Sequence, residues 1–304
     1  MKIAIIGAGA MGSLYGARLT QAGEDVWLYD KWQEHVTVMK EEGLTVISAG
    51  GAETVPVKAT TDIHEIGEAD LVIIFVKGHV THEAALEAVP LLGADTLVLT
   101  LQNGLGNAEQ IAAVIGAERV LVGTTAMGAT MVGAGQVIDT GKGATHIGNF
   151  SATPTKRLYQ IAAIFSRSGL YTVVDANVNA LRWSRLTINA GINALSAITG
   201  LTNGQLIAWP ESREIMDRAV AEAEAVAKAN GITLPHANMQ AQVHASAAAT
   251  KDNKSSMLQD VQKKRSTEVD AINGAIVRAG AQAGVATPVN EVLTLLVKTL
   301  ERAY

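Results

Sequence analysis

Three polar side chains recur at intervals of four residues in the segment LRWSRLTINAGINALSAITG: Arg185, Asn189 and Asn193. If this segment is a helix, all three project from roughly one face, which is otherwise largely apolar. A guanidinium and two carboxamides supply donors suited to a carboxylate or a carbonyl oxygen, so this face could bind an organic acid or a ketone. A structural network between domains would satisfy the same groups equally well, and the spacing does not choose between these interpretations.

A carboxylate, Glu268, lies farther along the chain in SSMLQDVQKKRSTEVDAING. At helical spacing it shares a face with Ile272 and Ala279, and a carboxylate on a buried face needs a charged or hydrogen-bonding partner, which a ligand can provide. The alternative is a capping box formed by Thr267 and Asp270, with Glu268 as an ordinary acid in the first turn of a helix. Spacing alone gives the two interpretations equal weight.

Short runs of valine, isoleucine and leucine alternate with helical patterns up to about residue 175. This alternation predicts an α/β domain over residues 1–175, with a doubly wound parallel sheet covered by helices on both faces. The many glycines between Met127 and Gly148 predict antiparallel strands and tight turns that extend this sheet. The runs that we interpret as buried strands are Ile3 to Ile6, Val26 to Tyr29, Leu71 to Val76, Thr96 to Leu101 and Val120 to Gly123.

Beyond about residue 175 the strand pattern stops and long helical patterns replace it. We therefore predict a second, all-helical domain over residues 176–304. Pro210 and Pro288 suit the first turn of a helix, and Gly231 suits a helix C-terminus. The helical patterns run from Ala180 to Gly200, from Pro210 to Asn230 and from Pro288 to Arg302.

A glycine-rich turn, GAGAMG, directly follows the first predicted strand and precedes a helical pattern. In this context the glycines permit a tight turn, close approach of a pyrophosphate to the backbone and close helix packing, while the helix N-terminus supplies amide donors. We predict a nicotinamide or flavin dinucleotide site in a Rossmann-type domain, rather than a coincidental glycine-rich turn. The residues predicted to bind the cofactor here are Gly7, Gly9, Ala10, Met11 and Gly12.

The second predicted strand, DVWLYD, ends in Asp30, about where an acidic residue hydrogen-bonds the adenosine ribose hydroxyls. Asp30 would repel a 2′-phosphate and so favours NADH. Lys31 follows it, however, and could reach around to such a phosphate. The two residues leave the choice between NADH and NADPH open.

Polar residues also follow two other strands: Lys77 comes directly after LVIIFV, and Asn103 comes after TLVLTLQ. Open parallel sheets bind their ligands at the carboxyl ends of strands, so both residues are candidates for the cofactor site. Lysine also often solvates a strand end, and Asn-Gly is a common turn. His79 and His82 follow Lys77 and could face the nicotinamide as acids, although simple solvation explains them better.

The 304-residue chain is 48% hydrophobic and 17% charged, as expected of an ordinary soluble protein with two domains. Its formal charge of −5 gives no indication of the basic surface that binds nucleic acid, so we expect no nucleic-acid partner. No apolar run reaches the roughly 20 residues that span a membrane.

The absence of cysteine fits a reducing compartment, with the cytoplasm as the default. The histidines show no paired spacing with carboxylates, so we expect no metal. Monomer and homodimer are both left open.

Five segments occur in the order and at the separations seen in the ketopantoate reductase (2-dehydropantoate 2-reductase) family, which the chain resembles over nearly its whole length: GAGAMG, VKGH, LQNGLG, RLTINAGINALSA and NKSSMLQD with STEVDAING. The resemblance implies an N-terminal Rossmann domain, a C-terminal helical domain and reduction of the ketone of a 2-oxo acid by NAD(P)H. The family's namesake makes pantoate for pantothenate and coenzyme A synthesis. The C-terminal motif makes the match specific.

By similarity, Glu268 completes the catalytic site, because the corresponding glutamate of the family hydrogen-bonds the substrate and supports a catalytic lysine. Lys77 and Asn103 would line the cleft that holds cofactor and substrate. The residues that the resemblance assigns to substrate binding are Asn103, Asn189, Asn193, Asn253 and Ser256.

Two residues depart from the family pattern, and the first is Arg185, which stands where the family places its catalytic lysine. A lysine ammonium can give up a proton to the developing alkoxide, whereas a guanidinium stays protonated. We therefore expect Arg185 to stabilise the alkoxide, while water, Lys77 or a nearby histidine delivers the proton. The second departure is Asp30, since the namesake enzymes usually carry a basic residue around that position and use NADPH.

Two alternative functions stay open. Some members of the same fold family are NAD-dependent D-2-hydroxyacid dehydrogenases that act on substrates such as mandelate, and Asp30 favours this alternative. A catalytically silent protein that senses a nucleotide through domain closure is the second. The missing lysine supports it, but the retained polar residues around Glu268 weigh against it.

Overall fold

The computed structural model describes residues 1–141, 143–151 and 153–304. The chain divides into two compact units. The first comprises Met1–Gln102 and Asn107–Val178, and the second comprises Asn103–Gly106 and Asn179–Tyr304. The short segment Asn103–Gly106 thus belongs to the second unit although it lies within the sequence of the first.

The strands of the first unit are β1 (Lys2–Ile6), β2 (Asp25–Tyr29), β3 (Leu44–Ser48), β4 (Gly51–Val55), β5 (Lys58–Thr60), β6 (Ala69–Ile74), β7 (Leu92–Thr100), β8 (Val120–Thr125), β9 (Gly128–Gly133), β10 (Gln136–Gly141), β11 (Thr145–Asn149) and β12 (Thr172–Val174). Its helices are α1 (Ala10–Gln21), α2 (Gln33–Glu41), α3 (Thr81–Glu87), α4 (Asn107–Ile115) and α5 (Lys156–Arg167).

Eight strands form the main sheet, in the order β12-β11-β8-β7-β6-β1-β2-β5. Neighbouring strands are parallel except for the antiparallel pair β8 and β11. The chain winds outward from β1 in both directions, first to β2 and later to β6. Ile3 and Ile5 of β1 join one buried cluster while Ala4 and Ile6 join another, so both faces of the sheet are covered. The predicted doubly wound α/β fold is confirmed.

The glycine-rich segment from Met127 to Gly148 corrects one prediction. It does form antiparallel strands, but β9 and β10 pair with each other and build a separate four-stranded sheet in the order β4-β3-β10-β9. In that sheet β10 runs parallel to β3. Among the described residues of this segment, β11 extends the main sheet through its pairing with β8. The prediction failed because β3 and β4, which provide the pairing edge, were not recognised as strands.

The second unit is helical, as predicted. Pro210 and Pro288 each occupy the first position of a helix. Gly231 follows the end of its helix with φ +72°. Within the described residues, no helix combines the length and the apolar character that crossing a lipid bilayer requires. The helices are α6 (Val178–Thr199), α7 (Asn203–Ala208), α8 (Pro210–Ala229), α9 (Met239–Ala249), α10 (Ser256–Gln262), α11 (Asn273–Ala283) and α12 (Pro288–Glu301).

Candidate active site

The glycine-rich turn between β1 and α1 is closely packed at two of its glycines and open at the third. Gly7 has φ +92°, and a Cβ there would lie 2.9 Å from the backbone nitrogen of Val76. A Cβ on Gly12 would lie 2.0 Å from the carbonyl oxygen of Gly7, so the close packing of α1 against the turn requires glycine. At Gly9 nothing lies within 4 Å of the Cβ position, which leaves room for a ligand to approach the backbone. The first turn of α1 carries no acidic residue that would repel an anion.

A buried histidine, His35, supports this turn, although no pattern in the sequence indicated this role. The carbonyl oxygen of Ala8 accepts hydrogen bonds from Ser13 Oγ at 2.7 Å and from His35 Nε2 at 2.9 Å. His35 Nδ1 accepts a third hydrogen bond from the backbone N–H of Gly135 at 2.8 Å. Because one ring nitrogen donates and the other accepts, the imidazole is neutral. Burial lowers the pKa of the His35 imidazole below its ordinary value, in agreement with this assignment.

Asp30 and Lys31 follow β2, as predicted, but their side chains have protein partners. Asp30 Oδ1 accepts a hydrogen bond from the backbone N–H of Trp32 at 2.9 Å. Lys31 Nζ lies 2.6 Å from a carboxylate oxygen of Glu83 and 2.6 Å from one of Glu87, both on α3. Sequence reasoning missed these two glutamates because they are distant from Lys31 in the chain. Glu83 follows Lys31 by 52 residues.

The residues predicted after β6 are accessible to solvent. Lys77 is exposed and precedes a short helical turn over Gly78–Val80. His79 and His82 are also exposed. An exposed position suits a residue that contacts a ligand and equally suits a solvated side chain, so the roles of these three residues stay predictions.

Helix α6 carries the three polar residues with helical spacing, as predicted. Asn189 and Asn193 are buried, with 8% and 6% of their surface accessible. Arg185, one turn before Asn189, is exposed. Although its side chain reaches solvent, desolvation by the surrounding protein lowers the pKa of the Arg185 guanidinium from its ordinary value. The group stays charged near neutral pH all the same, because an arginine does not deprotonate in proteins.

Glu268 lies in a turn before α11, which corrects the prediction that it shares a helix face with Ile272 and Ala279. Its carbonyl oxygen accepts hydrogen bonds from the N–H groups of Ala271 and Ile272, both at 3.0 Å, and regular helix begins at Asn273. The alternative capping box is also absent. Thr267 Oγ1 accepts from the N–H of Val269 at 3.2 Å and closes a tight turn two residues long.

Asn103 contacts Glu268 within the second unit. Its side-chain nitrogen donates to Glu268 Oε2 at 3.3 Å across a sequence separation of 165 residues. The backbone joins the same two segments, because the N–H of Leu105 donates to the carbonyl oxygen of Ala271 at 2.9 Å. Gly104 has φ +85°, and a Cβ there would lie 2.2 Å from that carbonyl oxygen. The structure thus brings together two residues that the sequence placed in separate domains.

A buried network of amides ties the Glu268 turn to α6. Asn273, the first residue of α11, donates to the carbonyl oxygen of Ala190 at 3.1 Å and to Asn290 Oδ1 at 3.0 Å. Asn290 in turn donates to the carbonyl oxygen of Ala219 at 3.0 Å and to Glu222 Oε2 at 2.7 Å. Both asparagines are fully buried. Since Ala190 adjoins Asn189, the network fixes the start of α11 beside the polar face of α6.

The remaining predicted substrate residues lie around the start of α10. Asn253 and Ser256 are exposed. The preceding residue, Ser255, is buried and caps α10, because its hydroxyl accepts from the N–H of Leu258 at 3.0 Å. The same hydroxyl donates to the carbonyl oxygen of Asn193 at 3.4 Å, which connects this segment to α6. Asn253 is held by its backbone, whose carbonyl oxygen accepts from the N–H of Asn203 at 3.0 Å.

A doubly wound sheet with a glycine-rich turn between its first strand and first helix, followed by a helical unit, is typical of a class of dinucleotide-dependent oxidoreductases. Within that class, the chain belongs to the ketopantoate reductase family. Residues 3–152 match the family described as "Ketopantoate reductase PanE/ApbA". Residues 177–301 match the one described as "Ketopantoate reductase PanE/ApbA C terminal".

Relatives with two different names resemble the chain over its full length. A 2-dehydropantoate 2-reductase from Halobacterium salinarum is 36% identical over 99% of this chain and 99% of its own length. The crystal structure of a PanE/ApbA family ketopantoate reductase from Ralstonia eutropha JMP134 is 35% identical, with a TM-score of 0.93 over 100% of this chain and 99% of that chain. The structure of D-mandelate dehydrogenase with NADH and anilino(oxo)acetate is 32% identical, with a TM-score of 0.94 and the same coverage.

Proposed function

We propose that this enzyme reduces the ketone of a 2-oxo acid to a hydroxyl group, with 2-dehydropantoate as the leading substrate and pantoate as its product. The observation that carries the proposal is the hydrogen bond from Asn103 to Glu268, in the same unit as the donor face of α6. This arrangement supplies a fixed carboxylate and several donors, which suits a substrate with a carboxylate, a ketone and a hydroxyl group. Relatives named 2-dehydropantoate 2-reductase support that choice of substrate.

Arg185 would orient the ketone and stabilise the negative charge that develops on its oxygen. A reduced nicotinamide, when bound, supplies the hydride that the keto carbon accepts. A permanently charged guanidinium is suited to stabilising an alkoxide but not to protonating it. The proton would come from water, from Lys77 or from a histidine near Lys77.

Glu268 would accept a hydrogen bond from a hydroxyl group of the substrate. Asn189, Asn193, Asn253 and Ser256 would donate to its carboxylate and carbonyl oxygens. Carboxamide donors orient a carboxylate without adding charge, so Arg185 would remain the principal cation of the site. Arg185 and Glu268 are therefore the residues that we assign to catalysis, and the asparagines and the serine are assigned to substrate binding.

We propose NADH as the preferred cofactor, in contrast to the family norm of NADPH. Asp30 stands at the end of β2, where a carboxylate suits a free ribose hydroxyl and repels a 2′-phosphate. Gly7, Gly9, Ala10, Met11 and Gly12 would hold the pyrophosphate. The enzyme would work in the cytoplasm, since a chain without cysteine is suited to a reducing compartment.

A second candidate function is that of an NAD-dependent D-2-hydroxyacid dehydrogenase acting on an aromatic substrate. Asp30 favours it, and so does the similarity to a D-mandelate dehydrogenase whose structure holds NADH. The two candidates share the same hydride transfer and differ in the group beyond the keto acid.

Initial rates with 2-dehydropantoate and with benzoylformate, each with NADH and with NADPH, distinguish the candidates. Turnover of 2-dehydropantoate at the highest kcat/KM supports the leading proposal. NADH-dependent turnover of benzoylformate alone supports the dehydrogenase. Binding of a cofactor without turnover of either acid would contradict both and identify a silent nucleotide-binding protein.

A further inference from the structure

A small pocket in the first unit adjoins the glycine-rich turn and the end of β2. Its lining includes Gly7, Tyr29 and Asp30, together with Glu83 and Glu87 of α3. In doubly wound folds the residue at the end of the second strand lies against the adenosine ribose of a dinucleotide. The pocket therefore corresponds to the adenosine end of the cofactor site described under the proposed function.

Lys31 is the cation of this pocket, and two carboxylates hold it. The distances from its ammonium to Glu83 and to Glu87 are both 2.6 Å. Glu87 is held from its other side, because the buried Tyr29 hydroxyl donates to Glu87 Oε2 at 3.2 Å. The pairing raises the pKa of the Lys31 ammonium and lowers the pKa of the Glu83 carboxyl. The lysine that could have served a phosphate is thus already bound.

The charges of the pocket also disfavour a phosphate. Asp30, Glu83 and Glu87 are three carboxylates against one ammonium, so the group carries a formal excess of two negative charges. A 2′-phosphate brings about 1.5 to 2 further negative charges at neutral pH. Lys31 and Glu83 are well exposed, so their ion pair contributes little to folding. Glu83 can therefore be changed without unfolding the unit, and Glu87→Gln keeps an oxygen that can accept the hydrogen bond from Tyr29.

We propose that Glu83 and Glu87 are specificity determinants that hold Lys31 away from a ribose 2′-phosphate and repel that phosphate, so that the site accepts NADH and rejects NADPH. This inference rests on the proposed dinucleotide site. Asp30 alone acts by repulsion, whereas the glutamate pair also removes the one cation that could compensate. Neutralising the pair should free Lys31 and convert it into a phosphate ligand.

The test measures how well 5′-AMP and adenosine 2′,5′-bisphosphate displace NADH from the full-length protein. The fluorescence of the nicotinamide reports the displacement. The two nucleotides differ only in the 2′-phosphate. Wild type should bind 5′-AMP more tightly. The double variant E83Q/E87Q should bind the bisphosphate at least about tenfold more tightly than wild type does, with the affinity for 5′-AMP changed less than about threefold. Adding Lys31→Ala to the double variant should remove most of this gain and leave the smaller part that comes from the lost repulsion.

The matched control is E41Q/E42Q, which removes the same charge from two exposed glutamates at the end of α2, outside the pocket. Equal affinity of wild type for both nucleotides would overturn the inference, as would an equal gain in the control variant or a gain that is undiminished by loss of Lys31. If wild type binds NADPH but not NADH, the inference is also overturned. If it binds neither NADH nor NADPH, the dinucleotide site of the proposed function is refuted instead.

Discussion

Replacing Gly104 with alanine should separate the two segments that carry Asn103 and Glu268. The residue has φ +85°, and its new Cβ would lie 2.2 Å from the carbonyl oxygen of Ala271. The lower limit of ordinary contact is 3.4 Å, so the contact must lengthen by about 1.2 Å. That shift would act directly on the hydrogen bond between Asn103 and Glu268, which already measures 3.3 Å.

The loss of stability has two parts. A residue with a Cβ in the left-handed region costs about 1–2 kcal/mol. Overpacking against a fixed backbone adds about 1–3 kcal/mol. We therefore expect Gly104→Ala to lower the free energy of unfolding by about 2–5 kcal/mol. A displacement of about 1 Å near reacting groups can lower the rate by about 100-fold, so kcat/KM should fall by about that factor in the folded variant.

Gly106 provides the matched control in the same segment. It has φ +95°, but nothing lies within 4 Å of its Cβ position. Gly106→Ala should therefore lower the free energy of unfolding only by the conformational part, about 1–2 kcal/mol. Its kcat/KM should stay close to that of wild type. Urea unfolding gives the stabilities, and initial rates under conditions where circular dichroism shows each variant folded give kcat/KM. Equal losses for the two variants would refute the argument that the contact with Ala271 positions the site.

Three further predictions concern other parts of the molecule. Arg185→Lys should introduce a new ionisation into the pH profile of kcat, because an ammonium can release its proton where a guanidinium cannot; an unchanged profile and turnover would argue against a special role for the arginine. Burial depresses the pKa of His35 in the folded protein. In the unfolded chain the same histidine has the ordinary pKa of about 6.5, so below that pH the unfolded chain binds more protons than the folded protein does. The free energy of unfolding should therefore fall as pH drops from about 6.5 towards 5, and His35→Gln should flatten this decline in urea titrations at each pH. Asn273→Ala should leave the buried Asn290 Oδ1 without the donor that Asn273 supplies and destabilise the protein by about 1–3 kcal/mol; a loss below about 0.5 kcal/mol in urea unfolding would show that the buried network is dispensable.

Five strands of the main sheet, β1, β2, β6, β7 and β8, were predictable because they appear as continuous apolar runs in the sequence, as expected of strands that are covered on both faces. The second sheet was not. All but the last residue of β4 are exposed, so Gly51–Val55 shows neither an apolar run nor an alternating pattern. The pairing of β10 with β3 joins segments that lie far apart in the chain, and a local pattern carries no information about such a pairing.

The candidate site was likewise predictable only in part. The helical spacing of Arg185, Asn189 and Asn193 was readable because one helix carries all three. Glu268 was assigned to a helix because its spacing to Ile272 is helical, but a threonine hydroxyl closes a turn there instead. Lys31 and Glu83 are separated by 52 residues, so their pairing could not be predicted from the sequence. The local sequence Asp30-Lys31 carries no information about whether α3 supplies a partner for the lysine.

The inclusion of Asn103–Gly106 in the second unit has a consequence for protein engineering. A fragment that begins at Asn179 lacks Asn103 and Leu105, the residues that bind Glu268 and Ala271. A chimaera that takes its helical unit from another family member should therefore take the short loop after β7 from that same parent. Exchanging the two halves at a single crossover near residue 178 would join a loop and a turn that were selected in different proteins.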